Sequence, residues 1–257
     1  MTETNDHILA HSTDGVMTIR MNRPDKKNAI TGDMYARMAA ALDEANADDA
    51  VNTVLILGSP GAFSSGNDIA DFMQVAMSGK RESMSVFDFL ERIIMAPKPV
   101  VAGVDGLAIG IGTTMLLHCD YVVASSSSRF KTPFVDLGLV PEAGSSLLAP
   151  QLMGHHRAFA LLGMGEGIEA DAAKAAGFVN QITDPEILEE TARTVAADLA
   201  SKPQQALKLS RDLIRGDRTP ILARMREEAV LFGERLESDE ARQAFMAFMA
   251  KGQKKAG

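Results

Sequence analysis

Residues 98–125 read KPVVAGVDGLAIGIGTTMLLHCDYVVAS, and their texture decides the fold class. The run PVVAGV is apolar and β-branched without alternation, as a strand buried on both faces is. Asp105 and Gly106 end it. LAIGIG is a turn punctuated by Gly110 and Gly112. TTMLLHCD has no breaker and reads as a helix, and YVVAS resumes a short strand. A strand–turn–helix–strand unit predicts neighbouring strands joined by helical connections, hence an α/β fold.

The flanks repeat the theme. Upstream, GVMTIRM (15–21) alternates and predicts a strand, and NRPDKKNAI (22–30) is a turn-rich connection. Thr31 is a good N-cap for a helix over 31–48 with an apolar stripe through Met34, Met38, Ala41, Leu42 and Ala45. VNTVLILGS (51–59) predicts a second buried strand, and the segment through Asp68 is a loop by composition. IADFMQVAM (69–77) and SMSVFDFLERIIM (83–95) read as helices. Downstream, SRFKTPFVDLGLVPEAG (128–144) is irregular, and two helices begin at Ser145 and His155. From Pro185 onward every segment is an amphipathic helix, with Pro185, Pro203 and Pro220 near three helix starts. The expected division is an α/β core over 1–195 and a helical region over 196–257.

Composition narrows the function classes. The 257 residues suit one compact domain with an appendage. Trp is absent and aromatics make up only 5%, so aliphatic side chains and the 15 Met must fill the interior. A net charge of −8 argues against a general binder of nucleic acid or anionic membrane. The single cysteine, Cys119, excludes an internal disulfide and metal sites of several Cys. The polar opening MTETNDHI carries no signal-peptide pattern, no apolar run reaches membrane-spanning length, and the closing KKAG is no peroxisomal address. A cytoplasmic enzyme is the expectation.

Two loops carry the first chemical signal. GAFSSGND (61–68) and GLAIGIGTT (106–114) each follow a buried strand and precede a helix. Backbone N–H groups at such junctions are unpaired and sit in positive potential. Two such loops can aim two donors at one oxygen, as an oxyanion hole requires. Each loop alone is a common structural turn. GIGTTM starts like a dinucleotide fingerprint but has Met115 at the third glycine position. Glu142, in LVPEAGSS, is a candidate base if buried, or an acidic residue stabilising the next helix's first turn. Asp136 reads as a turn residue. His118 reads as a satisfied core residue, and adjacent His155 and His156 cannot act as i,i+4 ligands on one helix face. No metal-ligand spacing appears.

Four ordered segments, IRMNRPDKKNAI (19–30), GAFSSGNDI (61–69), residues 98–125 and FKTPFVDLGLVPEAGSS (130–146), together resemble the crotonase (enoyl-CoA hydratase/isomerase) superfamily. The resemblance spans nearly the whole chain. It implies a spiral of ββα units followed by a C-terminal helical region that drives trimer formation, so a homotrimer or dimer of trimers is expected. It implies that the N–H groups of Asn67 and Ile111 hold a thioester oxygen, with Ser65, Gly66, Asp68, Gly110 and Phe134 around the substrate. It places the CoA nucleotide near Lys26 and Lys27, with Phe248 and Lys251 closing over it. The partner is an acyl-CoA thioester, with CoA as part of the substrate and no metal or other cofactor.

Two departures bear on the reaction. Family hydratases carry a Glu where this chain has Thr114, and a second Glu where it has Phe134. Glu142 instead matches the single catalytic Glu of the peroxisomal-type Δ3,Δ2-enoyl-CoA isomerases, whose loop resembles TPFxxLGxxPEGxSS. The resemblance therefore favours Glu142 as the base of a 3-enoyl-CoA to 2-enoyl-CoA isomerase. The rivals are an enoyl-CoA hydratase, a dehalogenase or dienoyl isomerase, and a non-enzymatic acyl-CoA- or RNA-binding relative; the acidic balance argues against RNA.

Overall fold

The computed structural model describes residues 7–70 and 84–253. A hairpin opens the described chain: β1 (Ile8–Thr13) runs antiparallel to β2 (Val16–Met21). Asp14 and Gly15 turn it with φ of 51° and 79°, the left-handed pair that matches strand twist. β2 lies where the alternation places it. β1 precedes it unforeseen, because four of its six side chains stay outside the core and leave no apolar period.

Strands then come in pairs that feed two sheets. β3 (Thr53–Leu57), β5 (Val100–Val104) and β7 (Tyr121–Ser125) enter a six-stranded sheet of order β1-β2-β3-β5-β7-β10, closed by β10 (Gln181–Thr183). β4 (Ala62–Ser64), β6 (Leu107–Ile109) and β8 (Arg129–Lys131) enter a second sheet of order β4-β6-β8-β9, closed by β9 (Ile168–Glu169). β3, β5 and β7 pair in parallel, as do β4, β6 and β8, whereas β9 runs antiparallel to β8. Every turn of the chain thus adds one strand to each sheet, which is a spiral of paired strands and helices. The second-sheet strands correct the sequence reading, which assigned 61–68 and 107–112 to loops and 128–144 to irregular chain. β4, β6 and β8 are three residues long and β9 two, too short to show a period.

The core lies between the sheets and the helices. α1 (Gly32–Ala47) begins at Thr31, whose side chain accepts from Met34 N–H, and buries the expected stripe together with Tyr35 and Ala39. It packs on α2 (Met84–Met95), which buries Phe89, Leu90, Ile93 and Ile94. The helix expected over 69–77 lies, from Asp71 on, outside the described residues. α3 (Ile111–Thr114) continues as a 3₁₀ turn to His118; α4 (Ser145–Met153), α5 (His155–Leu162) and α6 (Ala170–Ala175) follow. α7 (Leu188–Ser201) covers the other face of the six-stranded sheet, setting Leu188, Ala192 and Ala196 on Leu55, Leu57, Val101 and Val123. Residue 195, the expected boundary, therefore falls inside a helix bound to the core. The chain leaves the sheet at Pro203, where α8 (Gln204–Arg215) begins, before α9 (Thr219–Leu236) and α10 (Asp239–Gln253). Among the described residues no helix is long and apolar enough to cross a membrane.

Candidate active site

The first loop is held by main-chain pairing. Ile30 N–H donates to Gly66 O at 2.8 Å and Asp68 N–H to Ile30 O at 2.9 Å, so Asn67 between them points its own N–H the other way. Ser65 N–H donates to Lys27 O at 2.9 Å. Asp68 pairs with Arg23 at 2.5 Å and accepts from Ala70 N–H at 2.9 Å. Its carboxylate therefore braces the loop. Fully buried Asn28 anchors the opposite strand: its amide donates to Ala62 O at 2.9 Å and Phe63 O at 3.1 Å and accepts from Arg23 N–H at 2.7 Å. Sequence reasoning passed over Asn28 and Arg23. The one signal was Asn inside a turn, where it tolerates the left-handed φ of 54° observed.

The second loop is pressed against the first. Gly110 N–H donates to Lys131 O at 2.8 Å, and Gly110 O accepts from Thr113 and Thr114 N–H at 2.8 and 3.0 Å. Ile111 is the first helical residue, so its N–H is a natural orphan. Gly66 has φ +92°, and a Cβ there would lie 2.9 Å from Ile109 O. A Cβ on Gly112 would lie 2.9 Å from Ser64 Cβ. Among the described residues, no main-chain acceptor faces the N–H of Asn67 or of Ile111.

Glu142 sits beside this pair. It precedes α4 on a turn where Ala143 (φ 60°) and Gly144 (φ 70°) are both left-handed, a costly conformation for Ala. Thr114 Oγ1, from the second loop, donates to Glu142 Oε1. Burial pushes the Glu142 carboxyl from 4.5 up to about 8; Thr114 opposes the rise and the charge of Glu228 adds to it. The residue nonetheless keeps some solvent exposure, the access a reacting group needs.

Tyr35, which the sequence reading passed over, joins the parts. Its buried hydroxyl donates to Asn67 Oδ1 at 2.5 Å. Burial, and then the charge of Glu142, hold its phenol well above the usual range. His118 is buried as expected, and burial drives it down to about 3, so it is neutral. Its Nδ1 lies 3.3 Å from the Arg218 guanidinium, which can only donate, so its Nε2–H donates to Ala143 O at 2.8 Å.

Lys26 and Lys27 are exposed on the turn that Ser65 grips. Phe134 is buried. Half-exposed Phe248 lines a cleft of about 400 Å³ between α10 and the 131–137 segment, with Lys131, Pro133 and Asp136 on its far wall. Lys131 is the residue whose carbonyl fixes Gly110, so the cleft adjoins the second loop. Lys251 belongs to α10, but its side chain lies outside the described residues. Asp136 lies 3.6 Å from the Lys131 ammonium, and His155 and His156 are exposed at the start of α5.

Known proteins share this arrangement of chain. The enoyl-CoA hydratase/isomerase family model matches residues 11–256. The 1,2-epoxyphenylacetyl-CoA isomerase of Escherichia coli (strain K12) is 34% identical over 256 residues, covering 96% of each chain. Enoyl-CoA delta isomerase 2 of Rattus norvegicus is 36% identical over 250 residues, covering 95% of this chain and 63% of that longer one. The crystal structure of an enoyl-CoA hydratase/isomerase from Pseudoalteromonas atlantica T6c superimposes with a TM-score of 0.90 at 37% identity, covering 96% of this chain and 98% of the other. With paired strands spiralling through two sheets and two glycine-bearing loops beside the Glu142 carboxyl, the chain belongs to the enoyl-CoA hydratase/isomerase family of enzymes, which act on acyl-CoA thioesters.

Proposed function

We propose that this enzyme moves the double bond of a 3-enoyl-CoA to the 2 position, with Glu142 as the lone acid–base group. The observation that carries the reading is the pairing at Glu142: its partner across the site is Thr114, a hydroxyl where hydratases of the family hold a carboxylate. Phe134 occupies the other hydratase position and carries no ionisable group.

The thioester oxygen accepts from Asn67 and Ile111 N–H, which lowers the cost of placing charge on it. Ionised Glu142 removes a proton from C2. Electrons from that C–H bond delocalise over the dienolate, with negative charge on the thioester oxygen. Protonated Glu142 then delivers the proton to C4, the double bond settles at C2–C3, and the carboxylate is regenerated. Nothing is added or lost, so one carboxylate reaching both carbons suffices. A carboxyl near 8 suits the task, because a general base works best with a pKa close to the operating pH. Hydration would instead require a water to be activated at C3 and a proton delivered at C2, and Thr114 with Phe134 supplies neither function.

Binding of the CoA portion is assigned to Lys26 and Lys27 on the first turn, and to Phe248 and Lys251 from α10. Assembly as a trimer is proposed from Leu213 and Ile214 on α8, which are 85% and 84% exposed and would be covered by a second copy. The test of the activity is a product assay on matched 3-enoyl-CoA and 2-enoyl-CoA. Isomerisation of the former with little hydration of the latter is expected; efficient hydration refutes the assignment.

A further inference from the structure

The turn that bears Glu142 is gripped from α9 by a second glutamate. Glu228 is 4% exposed, 86 residues further along the chain. Its Oε2 accepts from Gly144 N–H at 2.6 Å and its Oε1 from Ser146 N–H at 2.9 Å. Arg224, one helical turn earlier, donates to Ser146 Oγ at 3.2 Å. Gly144 itself lies against α9, where a Cβ would come within 2.9 Å of Ile221 Cγ2. On the opposite side His118 donates to Ala143 O. Two consecutive left-handed residues are thus locked by buried polar side chains that lie far away in sequence.

We propose that Glu228 is a positioning residue of the isomerisation: its carboxylate fixes the turn that aims Glu142. This rests on Glu142 being the base. A structural cap for α4 needs only an acceptor at that helix start, which Asp, Ser or Thr supplies from the chain itself. Here Gly144 takes that place without a side-chain cap, and the acceptor arrives as a buried charge. The charge acts on Glu142, whose carboxyl it pushes upward. Among the described residues, Thr114 donates to Glu142 from α3, and Glu142 interacts electrostatically with Tyr35, a protonated phenol on α1, and with Glu228 on α9. Burial raises the Glu228 carboxyl above its ordinary value, against the hydrogen bonds from Ser146 and Gly144 and the charge of Arg224.

The experiment is the pH dependence of kcat and KM for 3-enoyl-CoA isomerisation by wild type, Glu228→Gln, Glu228→Asp and Glu142→Gln. For Glu228→Gln the acid limb is expected to move to lower pH by roughly half a unit or more, because a like charge beside Glu142 is gone. The plateau kcat is expected to fall about ten- to a hundredfold with KM little changed, because the base is misaimed. Glu228→Asp keeps the charge, so its limb stays in place while the plateau falls. A Glu228→Gln profile that superimposes on wild type overturns the proposal. If the Gln variant melts below the assay temperature, Glu228→Asp decides: an unmoved limb with a lowered plateau supports the role, and wild-type kcat overturns it. Glu142→Gln separates the two readings, since its full activity would refute the base itself and not only its support.

Discussion

The two halves of the site are built by different means. Around Asn67 and Ile111, main chain lies on main chain: glycines at 66 and 112 allow contact that a Cβ would block, and the donors are peptide groups. Around Glu142, side chains do the holding: Thr114, His118 and Glu228 reach in from three elements to fix one strained turn. The donors themselves carry no titrating proton, and their loops are set by main-chain pairing with the Asp68–Arg23 ion pair and Asn28 as braces. The base half is adjustable through distant residues, and its behaviour follows pH.

Gly66→Ala should break the donor half most severely. The new methyl meets Ile109 O at a φ that disfavours Ala, so Asn67 N–H must shift. Losing one such donor costs about 10² to 10³ in kcat. Steady-state kinetics with a melting curve measures it, and near-wild-type kcat in a folded variant would break the contrast.

Asn28→Ala should act on stability first. It takes the amide donor from Phe63 O and leaves Ala62 O with Ser59 N–H alone, at about 1–3 kcal/mol for a buried group left unsatisfied. Denaturant unfolding is the measure. A loss below about 0.5 kcal/mol, the range of ordinary surface changes, would mean that Asn28 does not anchor the first loop.

Glu142 should make stability depend on pH. Its folded pKa, about 8, lies above its ordinary 4.5, so folding favours the protonated form. That contribution is complete below about 4.5 and is lost as pH rises through about 8. Glu142→Gln should therefore raise Tm above pH 8 relative to wild type and leave it nearly unchanged at pH 5. Parallel Tm curves across that range would contradict the buried, raised carboxyl.

The smallest effect belongs to Lys26 and Lys27. Replacing both with Ala should weaken acyl-CoA binding several-fold at low salt, with the difference shrinking as salt rises. Calorimetry at two ionic strengths checks it, and unchanged affinity removes these lysines from the CoA site while leaving the catalytic centre as described.

Legibility in the sequence follows the same divide. The long buried strands and α1 show as apolar runs and a 3.6-residue stripe, because local period and burial agree there. The donor loops show as glycines after strands. The three-residue strands of the second sheet do not show, since pairing alone defines them. Glu142 reads locally as a helix-start residue, and only its resemblance to a family loop marks it as a base. Tyr35, Asn28 and Glu228 are invisible as site residues, because each acts across 32 or more positions of sequence on a partner that folding brings near.

The claim that Glu142 alone carries the proton is tested most directly by the Glu142→Gln variant under single-turnover conditions with a 3-enoyl-CoA. The amide preserves shape and the contact with Thr114 but cannot take a proton. The isomerisation rate is expected to fall by about 10² to 10⁴ or more, the typical cost of losing a positioned general base, while thioester affinity holds within a few-fold. A Gln variant that isomerises at close to the wild-type rate would contradict the account, whatever the fold and the two donor loops retain.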